Sequence, residues 1–117
     1  DIIMDAMEAA RQLGAAIQES PEYKEYQQFK AEVEADSGIK ALVDEYKRLQ
    51  SKVQLRMLTG QAAQDEDTQR FQQLSVLLFA DNRTSTYLLA EMHLQKLLAD
   101  LFSVLTQAAG LDIPMPL

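Results

Sequence analysis

"YLLAEMHLQKLLADLFSVLTQAA" (Tyr87–Ala109) decides how this chain is read, because 15 of its 23 residues are apolar and no glycine or proline interrupts it. At the helical period, Tyr87, Ala90, Leu94, Leu97, Leu98, Leu101, Val104, Leu105 and Ala108 share one arc of about 120°. Leu88, Leu89, Met92 and Phe102 fall outside it. A helix that is apolar on more than one side needs more than one neighbour. Its length, about 40 Å at ~1.5 Å per residue, exceeds the roughly 35 Å diameter expected for a compact domain of this size. The pattern therefore predicts a long final helix that one protomer cannot cover, and so a homodimer, the commonest closed oligomer. The expected dimer or partner interface is Leu88, Met92, Leu94, Leu98, Leu101, Phe102 and Leu105.

Outward from that helix, the chain reads as one helical domain spanning residues 1–117. The expected helices cover about 2–19, 21–35, 38–58, 66–80 and 83–109, with a tail at 110–117. In the first, Ile3, Ala6, Met7, Ala10, Leu13, Gly14 and Ile17 lie on one arc. Ser20-Pro21 forms a corner. Proline pushes Ser20 out of helical geometry, Ser20 caps the next helix, and Pro21 takes the first position, where no N–H is needed.

The second helix is expected to bury Tyr23, Tyr26, Phe29 and Val33. "ADSG" (Ala35–Gly38) is a break, with Asp36 or Ser37 as cap. The third helix carries Ile39, Leu42, Val43, Tyr46, Leu49, Val53 and Met57 at coiled-coil-like spacing, with Gln50 inside the stripe. Gly60 supplies a left-handed stop. The fourth helix offers Phe71, Leu74, Leu77 and Leu78. "ADNRT" (Ala80–Thr84) leaves open a break or a kink before the last helix. The fold class is all-α, an antiparallel helical hairpin or bundle of about five helices.

Composition narrows the chemistry. The chain has no cysteine, which excludes disulfides, thiolate metal sites and a cysteine nucleophile, and fits a reducing cytosol. A net charge of −7, with scattered basic residues, disfavours direct nucleic-acid binding. No apolar stretch approaches the ~18–20 residues that span a bilayer. The acidic start "DIIMDAM" lacks the basic region of a signal peptide, so export is not expected.

Candidate sites are few. His93 is the only histidine, and Glu91, two residues away, faces elsewhere, so no Glu-x-x-His metal pair forms. Asp65, Glu66 and Asp67 lack the alternating ligands of a calcium loop and suit the positive end of a helix. No cofactor, metal or catalytic residue is expected. One enzyme alternative comes from Arg11, Lys30, Arg48, Lys52, Arg56 and Arg83: an interhelical arginine pocket binding a small anion, as an enzyme or carrier; Arg11, which flanks the buried arc, either points inward to it or runs along the edge of the core. Leu55, Leu58, Val76, Phe79, Leu88, Leu89 and Met92 are the off-stripe apolar residues expected to serve an interface or a groove for another protein.

The order of segments resembles the YlbF/YmcA family of small helical bacterial proteins, the YheA-like members included. The resemblance rests on Leu13, Ile17, Ser20, Tyr23 and Tyr26 in "LGAAIQESPEYKEY", and on Leu42, Glu45, Tyr46, Leu49 and Gln50 in "ADSGIKALVDEYKRLQ". It continues through Gly60 and through Asn82, Tyr87, Leu88, Ala90, Glu91 and Leu98. These residues are helix-packing motifs. The resemblance implies a dimer-forming cytoplasmic regulator that is not an enzyme. It also implies protein partners in an RNA-processing complex affecting competence, sporulation and biofilm formation. The chain departs from the family's pattern in two ways. Complex-forming members carry C-terminal cysteines linked to an iron–sulfur cluster, and "GLDIPMPL" has none; Ser37 stands where the family tends to show proline.

Overall fold

Each helix begins where a short polar side chain can accept from its free N–H groups. In the computed structural model, which describes residues 4–60 and 65–114, the order is α1 (Ala6–Gln18), α2 (Pro21–Glu34), α3 (Ser37–Leu58), α4 (Glu66–Ala80) and α5 (Asn82–Ala109). Among the described residues there is no strand, and the fold is all-α.

Helix α1 starts later than the apolar pattern suggests. Asp5 is extended, and its carboxylate accepts from the Glu8 N–H at 2.8 Å, so the cap fixes Ala6 as the first helical residue. The expected start at residue 2 and the packing of Ile3 lie outside the described residues. At the Ser-Pro corner, the Ser20 hydroxyl donates to the Ile17 carbonyl at 2.6 Å and accepts from the Tyr23 N–H at 3.2 Å. One side chain thus closes α1 and opens α2.

Asp36, not Ser37, caps α3, accepting from Gly38 and Ile39 at 3.0 and 3.1 Å. Gly60, at φ 75°, stops the chain after α3 in the left-handed region, as does Gly110 (φ 70°) after α5. Asp65 caps α4 by accepting from Thr68 at 3.0 Å. Asp81 is extended and accepts from the Arg83 N–H at 2.8 Å, so α4 and α5 are two helices and not one bent helix.

The chain packs as two units: unit 1 comprises Asp1–Gln28 with Leu89–Leu117, and unit 2 comprises Phe29–Leu88. Unit 2 holds nearly all of the buried apolar side chains: Val33, Val43, Tyr46, Leu49, Val53, Leu74, Leu78, Tyr87 and Leu88. Helices α3 and α4 interlock there through Tyr46, which stacks on Phe71 (centroids 5.0 Å apart) and meets Phe79 edge-on at 6.4 Å. Burial of each aliphatic core side chain contributes about 1.5–3 kcal/mol. Thr84 is also buried, and its hydroxyl donates to the Leu78 carbonyl.

Ion pairs flank the same α3–α4 contact. Glu45 holds Arg70 at 2.8 Å, Lys52 lies 3.7 Å from Asp67, and Arg56 pairs with Asp65 and with Asp67. Two residues expected in the core, Met57 and Leu77, are exposed instead. Met57 sits one turn past Val53 at the end of α3. Leu77 lies about 100° round α4 from Leu78, just off the buried stripe.

Candidate functional site

Unit 1 presents the opposite balance. Among its described residues only Ala90 is buried. Helix α1 has no buried residue, although Met7, Leu13 and Ile17 give it an apolar face; Met7 is 70% exposed. Ala6, Ala9, Ala10 and Leu13 of α1 and Leu105 of α5 line an apolar groove of about 480 Å³.

The expected interface residues divide between the units. Leu88 is only 4% exposed and belongs to the core of unit 2, which corrects its placement among exposed residues. It stands beside Tyr87 in the chain, and both are covered there. Met92, Leu98 and Leu105 are 54%, 44% and 52% exposed, while Leu94, Leu101 and Phe102 are half-buried. Leu94, Leu98, Leu101 and Leu105 follow four–three–four spacing, so distal α5 carries a seam of the kind that packs against another helix. Of the other off-stripe residues, Leu55, Leu58, Val76, Phe79 and Leu89 are exposed.

A second, polar cleft of about 260 Å³ is lined by Glu22, His93, Lys96, Leu97 and Asp100. Glu25 lies 3.5 Å from the His93 Nδ1, and Lys96 donates to Asp100 at 2.8 Å. That hydrogen bond, followed by the attraction of the Asp100 charge, raises the Lys96 amine above its ordinary value. Both pairs are solvent-exposed, where such contacts stabilise little. Among the described residues, no group of three or more His, Asp or Glu side chains is placed to hold a metal ion.

The arginine-pocket alternative does not match the geometry. Arg11 does not point inward: its side chain is 71% exposed and pairs with Glu8 on its own helix at 3.1 Å. Its placement follows from the i,i+3 pairing of α1, which holds the guanidinium outside the apolar arc. Lys30 pairs with Glu34, Lys52 and Arg56 with acids of α4, and Arg83 with Asp36 and Asp81. Arg48 is exposed. Lys52 and Arg56 line one cleft with Leu55 and Thr59, but acids of α4 hold both of them, and among the described residues the six cations do not converge on one pocket. Gln50 is half-buried within α3. Among the described residues, no helix is long and apolar enough to cross a membrane.

What the sequence does not reveal is the segregation of charge. Unit 1 holds nine acidic and three basic residues, and unit 2 nine acidic and eight basic. The chain's −7 is therefore −6 in unit 1 and −1 in unit 2. The signal is present in the residue string, but it emerges only once residues 1–28 and 89–117 are known to form one unit.

A family model described as control of competence regulator ComK, YlbF/YmcA, matches residues 6–108. Similar proteins include a UPF0342 protein of Caldicellulosiruptor saccharolyticus, 31% identical over 91% of this chain and 88% of the relative. A second, from Symbiobacterium thermophilum, is 27% identical over 90% of this chain and 94% of its own. One from Bacillus thuringiensis is 29% identical over 84% and 83%. No solved structure matches. The chain belongs to the YlbF/YmcA family, whose description is regulatory.

Proposed function

From this membership, we propose that the protein is a non-enzymatic regulator that controls competence by binding other proteins in the cytoplasm, with the exposed apolar face of unit 1 as the contact surface. The carrying observation is that α1 has no fully buried residue and that distal α5 leaves Leu98 and Leu105, on one arc, about half exposed. Exposed apolar residues that share a helix face support an interaction site. The outward position of Arg11 weighs against the anion-binding enzyme. The family resemblance supports partners in an RNA-processing complex. A homodimer would use the same residues, so the mass of the chain and the composition of its complexes are measured together.

The test is a Leu98→Glu, Leu101→Glu double variant in a host strain lacking the wild-type chain. Three properties are read: sedimentation mass, proteins captured by crosslinking, and transformation frequency. The expected variant is folded and helical but captures neither a second copy nor other proteins, and competence control is lost. A folded variant with unchanged mass, complexes and transformation frequency overturns the reading.

A further inference from the structure

We propose that α1 is a strap: it opens by unfolding as one piece and closes again in the native protein, while unit 2 stays shut throughout. Packed side chains, more than intrinsic propensity, hold a helix in place, and α1 has few of them. It spans 13 residues and none is buried. Leu13 and Ile17 are half-buried, and every other residue of α1 is exposed. The open groove of about 480 Å³ lined by Ala6, Ala9, Ala10, Leu13 and Leu105 leaves those side chains without partner atoms on one side. Among the described residues, α3 and α4 bring their backbones together over several turns, and α1 has no neighbour of that kind.

The helix itself does not compensate. Isolated helices shorter than about 12–15 residues are marginal in water, and Gly14 in the middle of α1 weakens it further. No basic residue stands in its last turn against the negative end of its dipole. The Asp5 cap and the Arg11–Glu8 pair favour the helix, but both act within its first two turns.

The Ser-Pro corner supplies the pivot. Opening breaks the bond from the Ser20 hydroxyl to the Ile17 carbonyl, whereas the same hydroxyl still accepts from the Tyr23 N–H, so α2 keeps its cap when α1 leaves. Helix α2 runs unbroken from Pro21 to Glu34 and buries Val33, which anchors the far side of the pivot. Met7, Leu13 and Ile17 share one side only while α1 is helical. On the association reading above, on which this one consequence rests, the α1 part of the contact face therefore exists only while the strap is shut.

Amide hydrogen exchange of the full chain at low concentration, resolved residue by residue, tests the opening. The α1 amides from Ala9 to Gln18 are expected to exchange together, about 100-fold or more faster than those of Tyr46 and Leu49 in α3, yet slower than in an unfolded chain. Gly14→Ala puts its Cβ in open space and is expected to slow the α1 amides by about three- to fivefold, leaving those of α3 unchanged. Leu13→Ala removes a half-buried anchor and is expected to speed the α1 amides by about fivefold, again without effect on α3.

Equal protection in α1 and α3 overturns the proposal. So does a change in α3 as large as that in α1 in either variant, since α1 then opens only with the whole chain. Protection that rises steadily from Ala9 to Gln18 overturns it too, because fraying from one end needs no strap. An α1 with no protection at all does the same, because no shut form exists. Each of these outcomes leaves the association reading standing. Unchanged mass, complexes and transformation frequency in the Leu98, Leu101 double variant discard that reading and leave the strap.

Discussion

The Arg83 guanidinium lies 3.7 Å from the Asp36 carboxylate and 3.9 Å from that of Asp81, so one cation serves the acids that cap α3 and α5. The caps and the ion pairs differ in strength, because a cap satisfies backbone N–H groups whereas Arg83 is half exposed. Asp36→Ala is expected to lower stability by about 1 kcal/mol, and Arg83→Ala by less than about 1 kcal/mol. Urea unfolding of the two variants measures this. A larger loss in Arg83→Ala would show that the shared cation, not the caps, holds the two corners.

Truncation separates the two units. Leu49 and Leu74 are 1% and 0% exposed in unit 2, and either one changed to alanine is expected to cost about 3–5 kcal/mol, as transfer and cavity terms add. Leu98→Ala, at a position already in water, is expected to cost under about 1 kcal/mol in the isolated chain. Thermal unfolding at low protein concentration makes the comparison without contribution from association.

Two buried threonines give opposite expectations. The Thr84 hydroxyl donates to the Leu78 carbonyl and reaches the Asp81 carbonyl at 3.3 Å, so Thr84→Val leaves acceptors short at the α4–α5 break. A loss of about 1–3 kcal/mol follows. The Thr68 hydroxyl is buried with no partner, so the same change there removes an unsatisfied group and is expected to be neutral or stabilising. Chemical denaturation of both variants checks the sign.

Gly14 sits mid-helix in α1, with open space where a Cβ would be. Gly14→Ala is expected to stabilise the free chain by up to about 1 kcal/mol, through helix propensity and a less flexible unfolded state. The melting temperature measures it. A loss of stability would mean that the position is packed in solution.

The corners were legible in the residues. Ser20-Pro21 and Gly60 have local chemistry that specifies a stop or a turn whatever surrounds them. The break at Asp81 was ambiguous, because "ADNRT" suits a kink as well as a cap until the Asp81 carboxylate is seen on the Arg83 N–H. Burial was less legible. Periodicity tells which residues share a face, not what covers that face. Tyr87 and Leu98 lie on one arc of α5, yet the first is buried in unit 2 and the second is exposed in unit 1. The direction of Arg11 was equally open, since a residue at the edge of an arc points in or out according to its neighbours, and Glu8 decides it.

The assignment of residues to units has a consequence for biosynthesis. Residues 29–88 form a continuous stretch, so unit 2 can close on itself as soon as residue 88 is available. Unit 1 joins residues 1–28 to residues 89–117, and α1 leaves the ribosome long before distal α5 exists. Its apolar face is therefore the longest exposed during translation, and chaperone contact with the nascent chain should concentrate on α1 until the last helix is released.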